Sequence, residues 1–281
     1  MSKRKRKLSK TGKIFLDILL VICLCIAGYS GWKIYSTLHE YKTEENGYKD
    51  LSKQVVSTST PSFDSSEEET SGVSVDWSTL QSKNSDIAGW IRQDNTVIDF
   101  PVVYGSDNEY YLRHTLEGEY SLFGTLFVDY RNQRNFTDKV TVIYGHHFSE
   151  FGDTMFTSLE KYSDQSYYDE HKQLELYTPE GNYVLYPIAG SVKEGTDNYI
   201  RTAFESDEDF YNYCNSTFLQ SSTFTSGQTL ESTDRCVLLS TCTDLVKDGR
   251  YALLCKVSSM TDKNLCKRFQ HMIEYRCSKR R

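Results

Sequence analysis

The chain has 281 residues, 38% of them apolar, which is enough for one or two domains with a substantial core. Aromatic residues reach 14%, with 21 tyrosines, a composition that suits a β-rich exported protein. The net charge is −7, and because both termini are strongly basic, the acidic excess falls on the chain between them. An acidic body argues against nucleic acid as a partner, since nucleic-acid-binding proteins present clustered basic residues.

A basic start precedes a largely apolar segment. Residues 1–13 contain seven Lys/Arg and no acidic residue, and residues 14–34 are apolar with few interruptions, Asp17 among them. About 20 such residues span a bilayer as a helix, and flanking Lys/Arg favour a cytoplasmic N-terminus. We predict a cytoplasmic segment at 1–13, a transmembrane signal anchor at 14–35 and an extracellular body. A cleaved signal peptide is the alternative, because "CIAG" offers small residues.

The remaining chain divides by composition. Residues 36–50 favour a helical extension of the anchor, but "STSTPSFDSSEEETSGVS" has almost no large apolar residue and favours a flexible spacer. We therefore predict an extracellular stalk at 36–74 and a folded domain at 75–258. Residues 259–281 resemble a basic amphipathic helix, which we expect either to lie on the anionic membrane surface, to pack on the domain or to remain solvated.

The folded domain is predicted to be mainly β with peripheral helices. After a short helix leading into a strand in "DWSTLQSKNSDIAGWI", seven runs are rich in Val, Ile, Tyr and Phe, and many of them are bounded by Gly, Asn, Asp or Pro. They are "TVIDFPVVY", "GTLFVDY", "KVTVIYG", "QLELYTP", "NYVLYPIAGSV", "CVLLST" and "YALLCKV". "RTAFESDEDFYNYCNSTFLQSS" has helical spacing. Seven or eight strands with a late helix favour a closed or nearly closed β-barrel.

A cysteine ends one predicted strand, and an arginine begins the next. In "LLSTCTDLVKDGR" these are Cys242 and Arg250, while His146 follows the run "KVTVIYG", whose glycine allows a tight turn. A thiol nucleophile needs a base or cationic partner, and a guanidinium suits an acyl oxygen. If the three form a site, Cys242 and His146 lie at neighbouring strand ends, roughly 3 Å apart or looser. The alternatives are a buried structural cysteine, a surface histidine and a solvated turn arginine.

Metal sites are poorly supported. The eight cysteines include no C-x-x-C pair, and the adjacent pair His146–His147 would face opposite ways on a strand. Disulfides suit an exported chain, with Cys266 and Cys277 as candidate partners in the tail.

Several ordered motifs between about residues 86 and 257 resemble the sortase family, class B. They are "DIAGWIRQDNTVIDFPVVYGSDNEYYL", "GTLFVDYRN", "YGHHFSEFGDTMFTSLEKY" and "LLSTCTD" followed by "GR". The anchor and stalk also match what this family shows. The resemblance implies a sortase-like closed β-barrel and makes 75–258 the catalytic domain.

The resemblance also implies roles for particular residues. Cys242 is the expected nucleophile, His146 the general acid/base, and Arg250 the group that holds substrate carbonyls and the oxyanion. The expected substrate-binding residues are Asn108, Leu112, Tyr144, Tyr199, Ile200 and Ser240. Asp244 is either an orienting partner of His146 or a solvated turn residue.

The implied reaction is transpeptidation without a cofactor or metal. The substrate is a secreted protein with a C-terminal sorting motif of the Asn-Pro-x-Thr type, which is cleaved after Thr to leave a thioester. The acyl group then passes to an amine of cell-wall precursor, or to a pilin lysine in pilus-building relatives. The expected location is the cell membrane, single-pass, with the domain outside. Two other classes remain open: a hydrolytic cysteine peptidase using the same residues, and a non-enzymatic surface barrel that binds a ligand.

Overall fold

A computed structural model describes residues 10–58, 73–149 and 152–260. The chain divides into two compact units between Gly47 and Tyr48. The predicted helix in the tail lies outside the described residues, as do Cys266 and Cys277.

The first long element is helix α1, Lys10–Val55. By length and composition it contains one stretch suited to crossing a membrane, and none of that apolar window is buried. Such a stretch near an N-terminus also fits a signal sequence, so the two alternatives from the sequence both remain.

Residues 48–58, which the sequence assigns to the stalk, belong to the same compact unit as the barrel. Tyr48, Leu51 and Val55 are buried, and the Tyr48 hydroxyl lies 3.1 Å from Thr125 Oγ1. Strand β1, Val56–Thr58, pairs antiparallel with β2, Val73–Val75. The folded unit therefore begins before residue 75, because apolar side chains on the last turns of α1 have a core to bury against.

Eight strands of the described chain close a barrel, as the sequence predicts. The short helix α2, Trp77–Lys83, precedes it, capped by the Asp76 carboxylate on the Thr79 N–H. The order around the barrel is β10-β8-β7-β3-β4-β5-β6-β9, with β9 pairing β10 to close it. The strands are Ile87–Arg92 (β3), Asp99–Tyr104 (β4), Leu126–Val128 (β5), Val140–Tyr144 (β6), Leu174–Thr178 (β7), Gly181–Lys193 (β8), Cys236–Thr243 (β9) and Gly249–Ser259 (β10).

Helices occupy the connections between strands. A 3-10 helix at Tyr110–Leu112 lies between β4 and β5. Another at Thr157–Ser163 and helix α3, Gln165–Glu170, lie between β6 and β7. Helix α4, Asp207–Thr217, and a 3-10 turn at Leu219–Ser221 lie between β8 and β9. The structure thus confirms a mainly β fold with peripheral helices.

Helix α4 shows how the periphery attaches to the barrel. Its acidic first turn complements the helix dipole, and Ser206 caps it by accepting from the Asp209 N–H. Phe210 and Cys214 then reach a buried cluster that includes Leu238 of β9. Burying such an apolar side chain contributes roughly 1.5–3 kcal/mol, so this packing stabilises the attachment of α4 to β9.

Candidate active site

Cys242 is an accessible thiol on an otherwise buried strand. Along β9, Cys236–Thr243, every residue is buried except Cys242. The other described cysteines of the barrel unit, Cys214, Cys236 and Cys255, are buried and free, and burial raises the pKa of Cys236 and Cys255. Cys242 does not fill a core, which removes the structural alternative from the sequence.

Arg250 stands directly across from Cys242. Strands β9 and β10 form an antiparallel hairpin in which Thr243 pairs with Gly249 and Cys242 pairs with Arg250. Directly opposed residues of an antiparallel pair project from the same face of the sheet. The eight positions from Cys242 to Arg250 are therefore spanned by a hairpin whose connecting turn is residues 244–248.

The hairpin turn is tight at its closing end. Asp248 adopts φ 55°, a conformation that Asp tolerates better than most residues, and a Cβ on Gly249 would come within 2.3 Å of Val246 Cγ2. The Arg250 guanidinium donates to the Gly249 carbonyl at 2.9 Å. These contacts hold the guanidinium at the turn end of the hairpin, on the face that carries the thiol.

His146 reaches the same end of the barrel from a neighbouring strand. Strand β6 runs parallel to β9 with Tyr144 opposite Ser240, and the Gly145 N–H donates to the Ser240 carbonyl at 3.1 Å. His146 and Cys242 each follow these paired residues by two positions. They therefore lie at the same end of adjacent parallel strands, which is the placement expected from the sequence, while the expected approach of roughly 3 Å stays a prediction.

Gly145 permits this approach through its size. A Cβ at this position would lie 2.4 Å from Leu126 Cδ2 and 2.5 Å from Phe156 Cδ2. The Phe156 N–H also donates to the His146 carbonyl at 3.2 Å. The sequence suggests a turn-forming glycine here. The structure shows instead that Leu126 and Phe156 pack so closely that no side chain fits at this position.

The His146 imidazole is anchored by a backbone carbonyl. Its Nε2 lies 2.8 Å from the Leu112 carbonyl oxygen, and because a carbonyl only accepts, Nε2 carries the proton. In the neutral ring Nδ1 is then the basic atom. Burial lowers the pKa of His146 below its ordinary 6.5; the bond to Leu112 opposes this, and the charge of Arg113 adds to it. The ring is thus kept neutral, ready to accept a proton.

Asp244 does not contact His146. Its Oδ2 lies 3.2 Å from His147 Nε2, and it also accepts a hydrogen bond from Ser149. The Ser149 hydrogen bond, followed by that of His147, lowers the pKa of Asp244. Of the two interpretations that the sequence offered, the exposed turn aspartate is the closer one, with His147 rather than His146 as its imidazole partner.

Two of the predicted substrate-binding residues are joined by a buried aspartate. Asp129, whose side chain is 0% exposed, accepts from Tyr144 Oη at 2.8 Å and from Asn108 Nδ2 at 3.1 Å. Arg131 forms a bidentate pair with the same carboxylate at 2.9 and 2.7 Å. Burial would raise the pKa of Asp129, but the hydrogen bonds from Arg131 and Tyr144 outweigh it and leave the pKa below its ordinary value.

A second pair of predicted substrate-binding residues lies next to Cys242. Ser240 is buried, and its Oγ lies 2.8 Å from Tyr199 Oη. Burial raises the pKa of Tyr199, while Arg250 lies close enough to lower it electrostatically. Ile200 packs, partly buried, on the cluster behind β9. Leu112 is partly exposed and contributes its carbonyl to His146.

Sequence reasoning missed Asp129 and Glu160. Asp129 stands in the quoted motif "GTLFVDYRN", directly after a buried strand and two residues before an arginine, which is a local signal for a strand-end ion pair. Glu160 lies in "MFTSLEKY" and belongs to no local pattern, because its partners lie in distant segments.

Across residues 10–58, 73–149 and 152–260 we find no cluster of three His, Cys, Asp or Glu suited to a metal ion.

Comparison with known proteins points to one family. The chain is 33% identical over 232 residues to Sortase B of Staphylococcus aureus, covering 83% of this chain and 91% of that protein. It is 34% identical over 232 residues to Sortase B of Listeria monocytogenes, covering 82% and 90%. A scan of protein-family models returned no match.

Solved structures agree with the sequence relatives. The Staphylococcus aureus sortase B–substrate complex superimposes with a TM-score of 0.61 at 34% identity, covering 65% of this chain and 84% of that one. A Bacillus anthracis protein described as similar to sortase B gives a TM-score of 0.66 at 27% identity, covering 79% and 97%.

Proposed function

Because this chain belongs to the sortase B family and is a cysteine transpeptidase, we propose that it cleaves an Asn-Pro-x-Thr-like sorting motif after Thr. The acyl group then passes to an amine of cell-wall precursor peptidoglycan. The substrates are secreted proteins that carry the motif near the C-terminus. The observation that carries the proposal is the exposed Cys242 thiol facing Arg250 across the hairpin, with His146 at the end of the next strand.

Cys242, His146 and Arg250 divide the chemistry between them. The Cys242 thiol gives its proton to His146 Nδ1, and its sulfur attacks the Thr carbonyl. Arg250 donates to the oxygen as negative charge develops on it. The C–N bond breaks, His146 returns the proton to the leaving amine, and a thioester remains.

The second half reverses these roles. An incoming amine attacks the thioester carbonyl and gives a proton to His146, and the Cys242 sulfur leaves and is reprotonated. One amide is exchanged for another, so the atoms and electrons balance without an oxidant, a reductant or a cofactor.

The substrate is proposed to lie along the paired residues beside Cys242. Asn108 and Tyr144 are held by Asp129, and Tyr199 and Ser240 are held by each other. Leu112 presents an exposed apolar side chain, and Ile200 packs partly buried on the cluster that includes Phe210 of α4. A few precisely placed polar groups beside apolar side chains are typical of ligand-binding sites.

We further propose that the apolar window of α1 anchors the enzyme in the cell membrane, with residues 1–13 cytoplasmic and the barrel outside. The large apolar side chains of this window are exposed in the chain itself, and a bilayer would cover them. Residues 14–35 form the anchor in this arrangement.

The test is acyl-enzyme formation. The full chain in detergent micelles is mixed with an Asn-Pro-x-Thr peptide, and its intact mass is recorded. We expect a gain equal to the N-terminal peptide fragment, its absence in Cys242→Ala, its persistence in the anchor control Cys25→Ala, and its discharge by an added amine. A Cys242-dependent cleavage that ignores the amine would instead support a hydrolytic peptidase, and no Cys242-dependent adduct across a motif library would contradict the proposal.

The acceptor is tested in the same assay. Discharge by a peptide amine of a cell-wall precursor, in preference to the ε-amine of a pilin-type lysine peptide, supports wall anchoring. The reverse preference would assign the enzyme to pilus assembly.

A further inference from the structure

A polar cluster outside the three proposed catalytic residues joins the loop that carries His146 to the end of strand β9, which carries Cys242. The His147 side chain is 3% exposed, and its Nε2 lies 3.2 Å from Asp244 Oδ2 and 3.9 Å from Glu160 Oε2. His147 directly follows His146 in the chain. The loop after β6 is thus hydrogen-bonded to Asp244, and the Glu160 carboxylate lies beside the same imidazole.

Glu160 also holds the cysteine strand. The Thr243 hydroxyl donates to Glu160 Oε2 at 2.7 Å, and the Asp244 N–H lies 3.4 Å from the same oxygen. Thr243 directly follows Cys242, and because side chains alternate along a strand, it projects away from the face that carries the thiol. Its burial beside the exposed Cys242 agrees with this alternation.

The 3-10 helix Thr157–Ser163, which carries Glu160, supports the histidine loop at further points. The Phe148 N–H donates to Thr157 Oγ1 at 2.9 Å, and the Phe156 N–H donates to the His146 carbonyl at 3.2 Å. This helix therefore contacts both the histidine loop and the end of β9.

We propose that Glu160, which accepts a hydrogen bond from Thr243 and lies beside His147, is a positioning residue that fixes His146 relative to Cys242. This inference rests on the proposed function of those two residues. Glu160 touches neither of them, and it acts through the residue that follows each one in the chain. Small errors in the geometry of reacting groups are costly, since about 1 Å of misplacement lowers a rate by roughly 100-fold.

A matched pair at Thr243 tests this role of Glu160. Thr243→Ser keeps the hydroxyl that reaches Glu160, and Thr243→Val removes it while keeping the shape. We expect Thr243→Val and Glu160→Ala to lower kcat about 10- to 100-fold with KM changed by less than about twofold. Thr243→Ser retains most of kcat, and Glu170→Gln, an exposed carboxylate on α3, serves as the control.

A readout without substrate separates positioning from general destabilisation. The rate of iodoacetamide alkylation at Cys242, resolved by peptide mass, is measured across pH in the full chain. We expect the pH profile of the alkylation rate to shift in Glu160→Ala and Thr243→Val, and to stay unchanged in Thr243→Ser and Glu170→Gln.

The outcomes separate the role of Glu160 from the proposed function. If the wild-type chain forms the Cys242 adduct while Glu160→Ala and Thr243→Val keep its kcat and alkylation profile, Glu160 has no positioning role. A loss that Thr243→Ser shares equally would also overturn it, because the hydroxyl would then not be the cause. If the wild type forms no adduct, the proposed function fails, and the inference fails with it.

Discussion

Arg250 faces Cys242 directly across the antiparallel register of β9 and β10. The two side chains share a face because opposed residues of such a pair project together. The register therefore places the guanidinium on the face that carries the sulfur, and its bond to the Gly249 carbonyl restrains it there. Donors fixed before the reaction give the largest stabilisation of a developing oxyanion, since they need no reorganisation.

The first prediction concerns this pair. Arg250→Ala is expected to lower single-turnover acylation about 100- to 1,000-fold, the usual effect of losing an oxyanion donor. Arg250→Lys keeps the charge but loses the planar fork, so we expect an intermediate rate. An Arg250→Ala enzyme with wild-type acylation would remove Arg250 from the mechanism.

The adjacent histidines should differ in importance. His146→Ala removes the proposed acid/base and is expected to cost about 100- to 10,000-fold in kcat. His147→Ala removes only the contacts to Asp244 and Glu160, and we expect a loss of roughly tenfold. Steady-state kinetics measures kcat for the two variants, and an equal loss of kcat in both would contradict the assignment of His146 as the acid/base.

The pH dependence follows from the lowered pKa of His146. Burial disfavours the imidazolium, so in the folded enzyme the ring stays neutral to a pH below 6.5. As pH falls, the unfolded chain takes up this proton first, so the contribution of neutral His146 to stability declines below about pH 6.5.

Titration by NMR measures this effect. We expect the His146 Cε1–H midpoint below 6.5 in the native protein and close to 6.5 in urea. Arg113→Gln should raise the native midpoint, because the Arg113 charge contributes to the lowering. A native midpoint above that of the unfolded chain would contradict the lowered pKa.

Asp129 should act on substrate binding and on stability together. Asp129→Asn weakens the bidentate pair with Arg131 and the hold on Tyr144 and Asn108, and is expected to cost about 1–3 kcal/mol of unfolding free energy. It should also raise KM for the sorting peptide more than it lowers kcat. Tyr144→Phe, which loses one of these bonds, is the milder comparison. Urea denaturation measures the unfolding free energy, and steady-state kinetics measures KM and kcat.

The pKa of Asp129 gives a further check. Because it lies below the ordinary 3.8, the carboxylate stabilises the fold above the unfolded pKa, and this contribution is lost as pH falls through the lower native pKa. Acid unfolding of Asp129→Asn should therefore be less steep than that of the wild type below about pH 4. Identical profiles would show that the pair contributes nothing.

Gly145→Ala should be poorly tolerated. The added methyl meets Leu126 and Phe156 within 2.5 Å, and overpacking of this kind typically costs about 1–3 kcal/mol. Because the strain falls beside His146, we expect kcat to fall as well. Thermal unfolding and kinetics measure the two effects, and an unchanged kcat would show that the loop absorbs the methyl without moving the imidazole.

Local sequence patterns predicted most of the barrel. Runs such as "CVLLST" and "YALLCKV" are short and apolar and include β-branched or aromatic residues, so their length and composition together favour strands. The family motifs in the sequence also indicated Cys242, His146 and Arg250. The helical last turns of α1 were predicted only in part, because their burial depends on Tyr48 and Leu51 meeting the barrel.

The sequence by itself determined the strands, the candidate nucleophile, and the basic N-terminal segment with the apolar segment that follows it. Each of these depends on residues near one another in the chain. Only the tertiary structure decided that Asp244 pairs with His147, 97 residues away, and that Glu160 meets Thr243 across 83 residues. The register between β6 and β9 likewise brings His146 to the level of Cys242. Periodicity reports which face of an element is buried, but the partner of a polar side chain is fixed by the packing of distant segments.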